Sequence, residues 1–343
     1  MGKGCAPPAG AAGLGVKTRG VRPSRLKASL LLRLAGPVLL GVLLWRMRDR
    51  EAVLTTLGSA TLLPVAGAVA LNALVIHLKV ARWRVMLAVR GFRYGWGRSY
   101  AAFLSALYLG MVTPGHVGDA LRIQYLRHDL EMSYAEGLAT VVMDRLCDLY
   151  VLAAFASVGI ARYGAALGGK LGLAVWGVVA LAVLAPLLLL VPGLSEPLVG
   201  WAYRRLRGDR GDGPDAYGRF VVALRAQIGR ALLATLPLTV AAFGVNYLQG
   251  WLLGSALGLG LPFFDVVCLL SIASLLALLP ISISGVGVRE TLFMVVFPVL
   301  GYSAASGVSF GLAVFGSIYL VNIAVGLVAW QLAPPPTEAS AVD

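Results

Sequence analysis

Long apolar runs separated by short polar segments constrain this chain more than any other feature of its sequence. The longest runs lie at about 62–80, 134–160, 171–191, 232–250 and 305–330. About 20 apolar helical residues cross a bilayer core. Only 13% of the 343 residues are charged, and the mean hydropathy is +0.82. The sequence therefore predicts an all-α polytopic membrane protein and excludes a secreted domain, a cytosolic enzyme and a coiled coil.

The basic residues indicate how these runs are oriented in the membrane. The chain has 29 Lys and Arg against 16 Asp and Glu, which gives a formal net charge of +13. Basic residues concentrate in two stretches, 79–98 and 201–230, and basic segments between spans remain on the cytoplasmic side. We expect both stretches to be cytoplasmic loops that contact anionic lipid headgroups, and we expect no nucleic-acid partner.

Two cytoplasmic loops require an even number of membrane crossings between them. The runs at 134–160 and 171–191 are long enough to span, whereas the run at 100–112 is short and ends in a Pro-Gly break. We therefore predict that 100–131 is a re-entrant hairpin, which enters from the cytoplasm, breaks near mid-membrane and returns.

The order of helix, broken hairpin and helix occurs twice. The second copy has a helix at 232–250, a run at 264–279 that ends in a Pro- and Gly-rich break, and a helix at 305–330. The copies begin on opposite sides of the membrane, so they form an inverted repeat, which is typical of transporters. The predicted fold has about six to seven full spans plus two re-entrant hairpins.

This organisation divides the chain into three parts. A basic tail at 1–28 and a short tail at 332–343 are expected to be disordered, and the transmembrane domain covers 29–331. Within that domain, repeat one, the linker helix with the basic loop, and repeat two are assigned to about 60–160, 171–230 and 232–330.

The two breaks carry the residues that we assign to substrate binding. The free N–H groups at the start of a returning helix attract anions, and an arginine one turn further on can bind a phosphate with two hydrogen bonds. A plain helix kink at the first break and a surface loop at the second are the structural alternatives. The candidate residues are Pro114, Gly115, Gly118, Asp119, Arg122, Ser282, Ser284, Gly285, Gly287, Arg289 and Glu290.

A third group of charged residues lies in the long run after the first break. Asp144 and Asp148 are one helical turn apart with Arg145 beside them, and unpaired charges in hydrocarbon are unfavourable. They either couple transport to protons or cations, or form a structural ion-pair network with Arg122 or Arg289. Since Arg289 is followed directly by a glutamate, we expect those two side chains to diverge by about 100° and to face different partners.

The sequence lacks the signatures of several enzyme classes. It contains neither the P-loop motif of ATP-driven pumps nor the Gly-x-Ser-x-Gly motif of hydrolases. Its three histidines and three cysteines do not have the spacing of a metal site or a disulfide framework. We expect no enzymatic activity, no cofactor and no bound metal, although a membrane-embedded transferase using a donor-bound metal at Asp144 and Asp148 is a weaker alternative.

Three segments resemble the lysylphosphatidylglycerol synthase transmembrane region family, also called flippase-like membrane proteins. They are VTPGHVGDALR at 112–122, ATVVMDRLCD at 139–148 and PISISGVGVRE at 280–290. The resemblance covers about 60–330, and Asp144 stands where the family usually has glutamate. The best-known members add an aminoacyl-transfer domain that makes lysyl-lipid, so the resemblance implies that this chain keeps lipid translocation and lacks the synthase.

The resemblance and the residues together predict a lipid translocase in the bacterial plasma membrane. Its substrate would be an anionic or polyprenyl-phosphate-linked lipid, because stand-alone relatives are linked to polyprenyl-phosphate and glycolipid pathways. The alternative is a non-transporting accessory subunit that binds or presents a lipid-linked sugar to a glycosyltransferase. The expected partners are the membrane lipid substrate and enzymes of lipid-linked glycan synthesis.

Overall fold

A computed structural model describes residues 41–42, 45, 50–113, 118–163, 173, 176–177, 179–181, 183–184, 216–228, 230–278 and 285–336. All regular structure within these ranges is helical, which confirms the all-α prediction for them. The helices are α1 (Arg50–Gly58), α2 (Leu62–Val89), α3 (Trp96–Val112), α4 (Leu121–Leu130), α5 (Tyr134–Tyr163), α6 (Ala216–Gln227), α7 (Arg230–Ala256), α8 (Phe263–Ala277), α9 (Val288–Val296) and α10 (Ala304–Leu332).

Some predictions concern residues outside these ranges. They are the N-terminal tail at 1–28, most of the linker helix at 171–191, the first part of the basic loop at 201–215, the last residues at 337–343, and Pro114, Gly115, Ser282 and Ser284.

Among the described helices, α2, α7 and α10 are long and apolar enough to cross a membrane. Helix α5 has 30 residues, a length of about 45 Å at 1.5 Å per residue, but its middle carries Asp144, Arg145 and Asp148. Helices α3 and α8, with 17 and 15 residues, are shorter than the usual span. These apolar helices are those of a multi-pass membrane protein.

The prediction of a basic loop at 79–98 is wrong for most of its length. Helix α2 continues to Val89, and only residues 90–95 connect it to α3. Lysine and arginine are good helix formers, and the side chain of Arg82 is buried among partners from other helices. The basic residues therefore extend the helix instead of ending it.

Helix α2 packs along α7, and these two helices form the most extensive pair. The C-terminal part of α10 packs on α3, and α8 packs on α5. The short helices α4 and α9 pack on α5 and on the first part of α10. The main apolar core lies between α5, α7, α8, α9 and α10.

Two glycines allow the closest of these helix contacts. A Cβ on Gly159 in α5 would lie 3.0 Å from the carbonyl oxygen of Cys268 in α8. A Cβ on Gly326 in α10 would lie 2.7 Å from the carbonyl oxygen of Leu104 in α3. Small residues at helix interfaces let backbones approach in membrane proteins, so each glycine fixes how closely its two helices pack.

Candidate functional site

Arg82, near the end of α2, is the centre of a buried ion-pair network. Its Nη2 donates to Asp144 Oδ1 at 2.5 Å, and its Nη1 donates to Asp148 Oδ1. The same Nη1 also donates to Thr239 Oγ1 of α7 at 3.1 Å. One guanidinium therefore joins two carboxylates that are one turn apart on α5. Removing Arg82 would take these hydrogen bonds from both carboxylates at once.

Arg122, the second residue of α4, contacts the same carboxylate group. Its Nη1 donates to Asp144 Oδ2 at 2.9 Å, and its Nη2 lies 3.8 Å from Asp119 Oδ1. The rings of Trp83 and Phe103 lie 5.4 and 5.3 Å from the guanidinium carbon. The side chain is fully buried. The structure therefore contains the ion pair between Asp144 and Arg122 that the sequence suggested as one alternative.

Lys79 and Arg145 are the two more exposed cations of the network. Lys79 Nζ lies 3.3 Å from Asp148 Oδ2. Arg145 lies 3.3 Å from Asp119, 3.4 Å from Asp144 and 3.7 Å from Asp148. The side chains of Lys79 and Arg145 are 25% and 36% exposed, whereas those of the two other arginines are 1% or less. These two cations are held less tightly than the two buried ones.

At the second break, Arg289 pairs with its neighbour in sequence. Its Nη2 and Nε lie 2.7 and 3.1 Å from Glu290 Oε1, and Glu290 Oε2 accepts the Gly287 N–H at 2.6 Å. The expectation that these two side chains face different partners is wrong. The capping contact turns the Glu290 carboxylate back to the helix start, where the long arginine side chain reaches it. The rings of Tyr319 and Phe315 also flank Arg289, at 4.9 and 5.8 Å.

Each break holds a glycine against the helix that precedes it. At Gly118, an added Cβ would overlap the backbone of Leu109 and Gly110 at the end of α3. Gly285 has a φ of +74°, and its Cβ would lie 2.7 Å from the Cβ of Ala277 at the end of α8. A side chain at either position would push the two arms of its hairpin apart.

A cavity of about 190 Å³ lies beside the network, with walls from α2, α3, α5, α7, α8 and α10. Its charged and polar lining residues are Lys79, Asp119, Arg145, Asp148, Asn246, Ser274, Tyr319 and Asn322. A smaller cavity beside it shares Asn246, Ser274 and Ala277, and is also lined by Gly285 and Arg289. A cavity of about 150 Å³ holds one benzene molecule, so this volume can hold a small ligand or part of a larger one.

The predicted site residues divide into two groups around this space. Asp119, Arg145 and Asp148 line the larger cavity, and Gly285 and Arg289 line the smaller one. The other described candidates, which support the walls through packing or hydrogen bonds, are Gly118, Arg122, Asp144, Gly287 and Glu290. The assignment of the break residues to substrate binding, and of Asp144, Arg145 and Asp148 to coupling, stays a prediction.

Sequence reasoning missed Arg82 and treated Lys79 as part of a basic stretch. A signal for both was available. Lys79 and Arg82 are three residues apart on one helix, and Asp144 and Asp148 are four apart on another. Each pair lies on one helix face, so two cations and two carboxylates with matching spacing could have been paired across two apolar helices.

The carboxylates of this site all contact cations. Among the described residues, no group of three or more His, Cys, Asp or Glu side chains is arranged to hold a metal ion. The arrangement can bind an anion next to Lys79 and Arg145, since charged nitrogen donors are the groups that recognise phosphate.

Comparison with known proteins identifies one partial relative. The chain is 28% identical to the glycosyltransferase AglD of Haloferax volcanii over 154 residues, which are 44% of this chain. The matched region covers only 24% of the length of that protein. The comparison therefore relates part of this chain to a part of a larger protein.

A family model gives a much longer match. The model of the lysylphosphatidylglycerol synthase TM region matches residues 31–326, which include both breaks, the ion-pair network and the cavity. This match confirms the resemblance seen in the three sequence motifs. The chain belongs to the lysylphosphatidylglycerol synthase TM region family.

Proposed function

We propose that this protein is a lipid translocase of the bacterial plasma membrane that moves an anionic or polyprenyl-phosphate-linked lipid. The observation that carries the proposal is the charged cavity, whose walls come from six helices of a multi-pass membrane protein. Ionisable residues inside transmembrane segments mark substrate pathways. A polar cavity of this size can hold a headgroup while the hydrocarbon chains stay in the bilayer.

The packing of the helices supports an inverted repeat. Helices α2 to α5 each begin about 170 residues before the corresponding member of α7 to α10. The first hairpin helix, α3, packs on α10, and the second, α8, packs on α5, while α2 and α7 pack on each other. A two-fold axis between the copies would exchange the first two contacts and preserve the third.

The two copies also share features of their short helices. In both copies a glycine of the long helix packs against the short helix: a Cβ on Gly137 of α5 would lie 2.8 Å from the Ile123 side chain of α4, and a Cβ on Gly307 of α10 would lie 2.6 Å from the Phe293 carbonyl oxygen of α9. Each short helix also has a buried arginine as its second residue. We therefore retain two re-entrant hairpins, with about six to seven full spans, as part of the proposal.

Lipid movement in proteoliposomes tests the proposed function. The full chain is reconstituted with trace fluorescent phosphatidylglycerol or phosphatidylcholine, and an impermeant quencher measures the fraction of label that changes leaflet. Ser274 lines both cavities, so Ser274→Phe should obstruct them. Ser255→Phe is the matched control, because Ser255 is exposed on α7.

We expect the wild type and Ser255→Phe to move the anionic lipid faster than empty vesicles, and Ser274→Phe to lose most of this activity. Equal rates for wild-type and empty vesicles would contradict the proposal. Equal rates for wild type and Ser274→Phe would show that the cavity is not the path of the lipid.

The partial relative supports a second candidate. Because that protein is named a glycosyltransferase, this chain could act as a non-enzymatic accessory subunit that presents a lipid-linked sugar to such an enzyme. Stable co-purification with a glycosyltransferase, together with no lipid movement in proteoliposomes, would favour this function. Sugar transfer by the purified chain alone would contradict both candidates, since neither is an enzyme.

A further inference from the structure

The buried ion-pair network contains one more positive charge than negative charges. Its carboxylates are those of Asp119, Asp144 and Asp148. Its cations are those of Lys79, Arg82, Arg122 and Arg145. Within the described part of the chain, no further carboxylate lies within 4.0 Å of these four cations. A charge in a low-dielectric site without a counter-charge is unfavourable, so the network as a whole attracts one anion.

The excess charge lies on the cavity side of the network. Arg82 and Arg122 contact Asp144 at 2.5 and 2.9 Å and are almost completely buried. Lys79 and Arg145 contact their carboxylates at 3.3 Å or more and line the cavity. The Arg145 side chain is 36% exposed, and its Nε lies 3.3 Å from Asp119 Oδ2. An anion in the cavity would therefore meet Lys79 and Arg145 first.

A second, independent feature of the cavity wall is Asn322 of α10. This residue is 6% exposed and lines the cavity, and its Oδ1 has no hydrogen-bond partner. A buried amide oxygen without a partner is unusual and requires a donor. Asn246 and Ser274 add further polar groups to the lining. A hydroxyl group can supply this donor, whereas a quaternary ammonium group has no N–H or O–H to donate.

We propose that Lys79 and Arg145 bind the phosphate of a lipid headgroup that carries a single negative charge, and that Asn322 accepts a hydrogen bond from a hydroxyl group of the same headgroup. This inference rests on the proposed function and adds a substrate class to it. A phosphodiester supplies the one charge that the network lacks. A zwitterionic headgroup would leave the excess charge uncompensated.

Binding of short-chain lipids to the purified full chain in detergent tests the site separately from transport. Three dioctanoyl probes separate the effect of charge from that of hydroxyl groups. Phosphatidylglycerol has one negative charge and hydroxyls, phosphatidylmethanol has one negative charge and no hydroxyl, and phosphatidylcholine is zwitterionic and has no hydroxyl. Lys79→Gln, Arg145→Gln and Asn322→Leu change the proposed ligands. Arg162→Gln is the control. Arg162 lies on the same helix as Arg145, is 51% exposed and pairs with Asp265 outside the network.

We expect the wild type to prefer phosphatidylglycerol over phosphatidylcholine. Lys79→Gln and Arg145→Gln should each weaken phosphatidylglycerol binding about tenfold, a typical loss for one charged contact, and Arg162→Gln should not. Asn322→Leu should reduce phosphatidylglycerol binding to the level of phosphatidylmethanol. Arg145→Lys retains the charge and should recover part of the affinity, which distinguishes lost binding from misfolding.

Unchanged phosphatidylglycerol affinity in both Gln variants would overturn the phosphate site, and equal wild-type affinity for all three probes would overturn the substrate class. Displacement of the lipid by an equal concentration of free glycerol phosphate would overturn the assignment to a lipid headgroup. If the wild type binds selectively as expected but moves no lipid in proteoliposomes, the proposed function fails while the binding site stands. If lipid moves but the Gln variants bind normally, the site fails while the function stands.

Discussion

Arg82 Nη2 lies 2.5 Å from Asp144 Oδ1 and joins the end of α2 to the middle of α5. The same guanidinium contacts Asp148 and Thr239 of α7. Three helices therefore meet at one side chain, and two carboxylates depend on its guanidinium for hydrogen bonds. This dependence makes Arg82 the residue whose loss should most disturb the site.

Arg82→Met should strongly destabilise the protein. The substitution removes the hydrogen bonds that Arg82 donates to Asp144 and Asp148, and leaving buried charged acceptors without donors costs at least about 1–3 kcal/mol. Thermal unfolding of the detergent-solubilised protein measures the effect. Arg93→Met, which changes an exposed arginine after α2, is the control. An equal unfolding temperature for both variants would contradict the role of Arg82.

Gly285→Ala should destabilise the second hairpin for two separable reasons. A positive φ costs a residue with a Cβ about 1–2 kcal/mol, and the new methyl group also meets Ala277, which adds about 1–3 kcal/mol for overpacking. Gly301→Ala measures the cost of the positive φ alone, because Gly301 has a φ of +83° and no neighbouring atom within 4 Å of the added Cβ. Unfolding measurements should place Gly285→Ala well below Gly301→Ala, and Ala277→Gly should partly restore it.

Asn72→Leu should loosen the π-helical stretch Phe315–Leu320 within α10. Asn72 Nδ2 donates to the Ser317 carbonyl oxygen of this stretch at 2.8 Å. Without the donor, a partly buried carbonyl loses a hydrogen bond at a cost of about 1 kcal/mol. Hydrogen exchange should therefore become faster for amides in this stretch and not for those of α8. Unchanged exchange would show that the π-helical geometry does not need this contact.

Tyr94→Phe should alter how stability depends on pH above the ordinary range of tyrosine ionisation. Tyr94 lies in the segment between α2 and α3 and donates to Asp129 Oδ2 at 2.6 Å. Burial, together with this hydrogen bond, raises the pKa of Tyr94 above its usual value. The folded state therefore holds the proton more tightly than the unfolded state, and this contribution is present below the unfolded pKa of about 10 and decreases as pH rises above it.

The measurement compares unfolding of wild type and Tyr94→Phe at pH 8 and at pH 11. We expect the wild type to be the more stable at pH 8 and its advantage to shrink at pH 11. A constant difference would contradict the raised pKa. Tyr302→Phe, at a tyrosine after α9 outside the longest helices, serves as the reference.

The helical architecture could be predicted because the length and the apolar composition of a run are visible in that segment of the sequence alone. The run that begins at Leu62 and the run that ends near Leu332 both became helices that can span. The end of α2 was misplaced because basic residues were interpreted only as markers of a cytoplasmic loop. Buried partners on α5 and α7 make Arg82 compatible with a helix interior, and such partners cannot be seen in the segment itself.

The positions of the break residues could be predicted in part. The motifs select Asp119 and Arg289, and both line the cavities, while their roles in substrate binding stay predictions. The predicted direction of the Arg289 side chain was wrong. The Cβ atoms of adjacent helical residues diverge, but side chains as long as those of Arg289 and Glu290 can still meet at their ends. The excess of cations at Lys79 and Arg145 depends on contacts between helices that are far apart in sequence, so it required the structure.

The close contacts at Gly159 and Gly326 affect how the chain can assemble. Helix α3 lies against α10, which the ribosome completes about 200 residues later. During synthesis, α3 is therefore made before the surface that will cover it, and lipid or a neighbouring helix must occupy that face in the meantime. The first half of this protein should reach its final arrangement only after the last helix has been inserted.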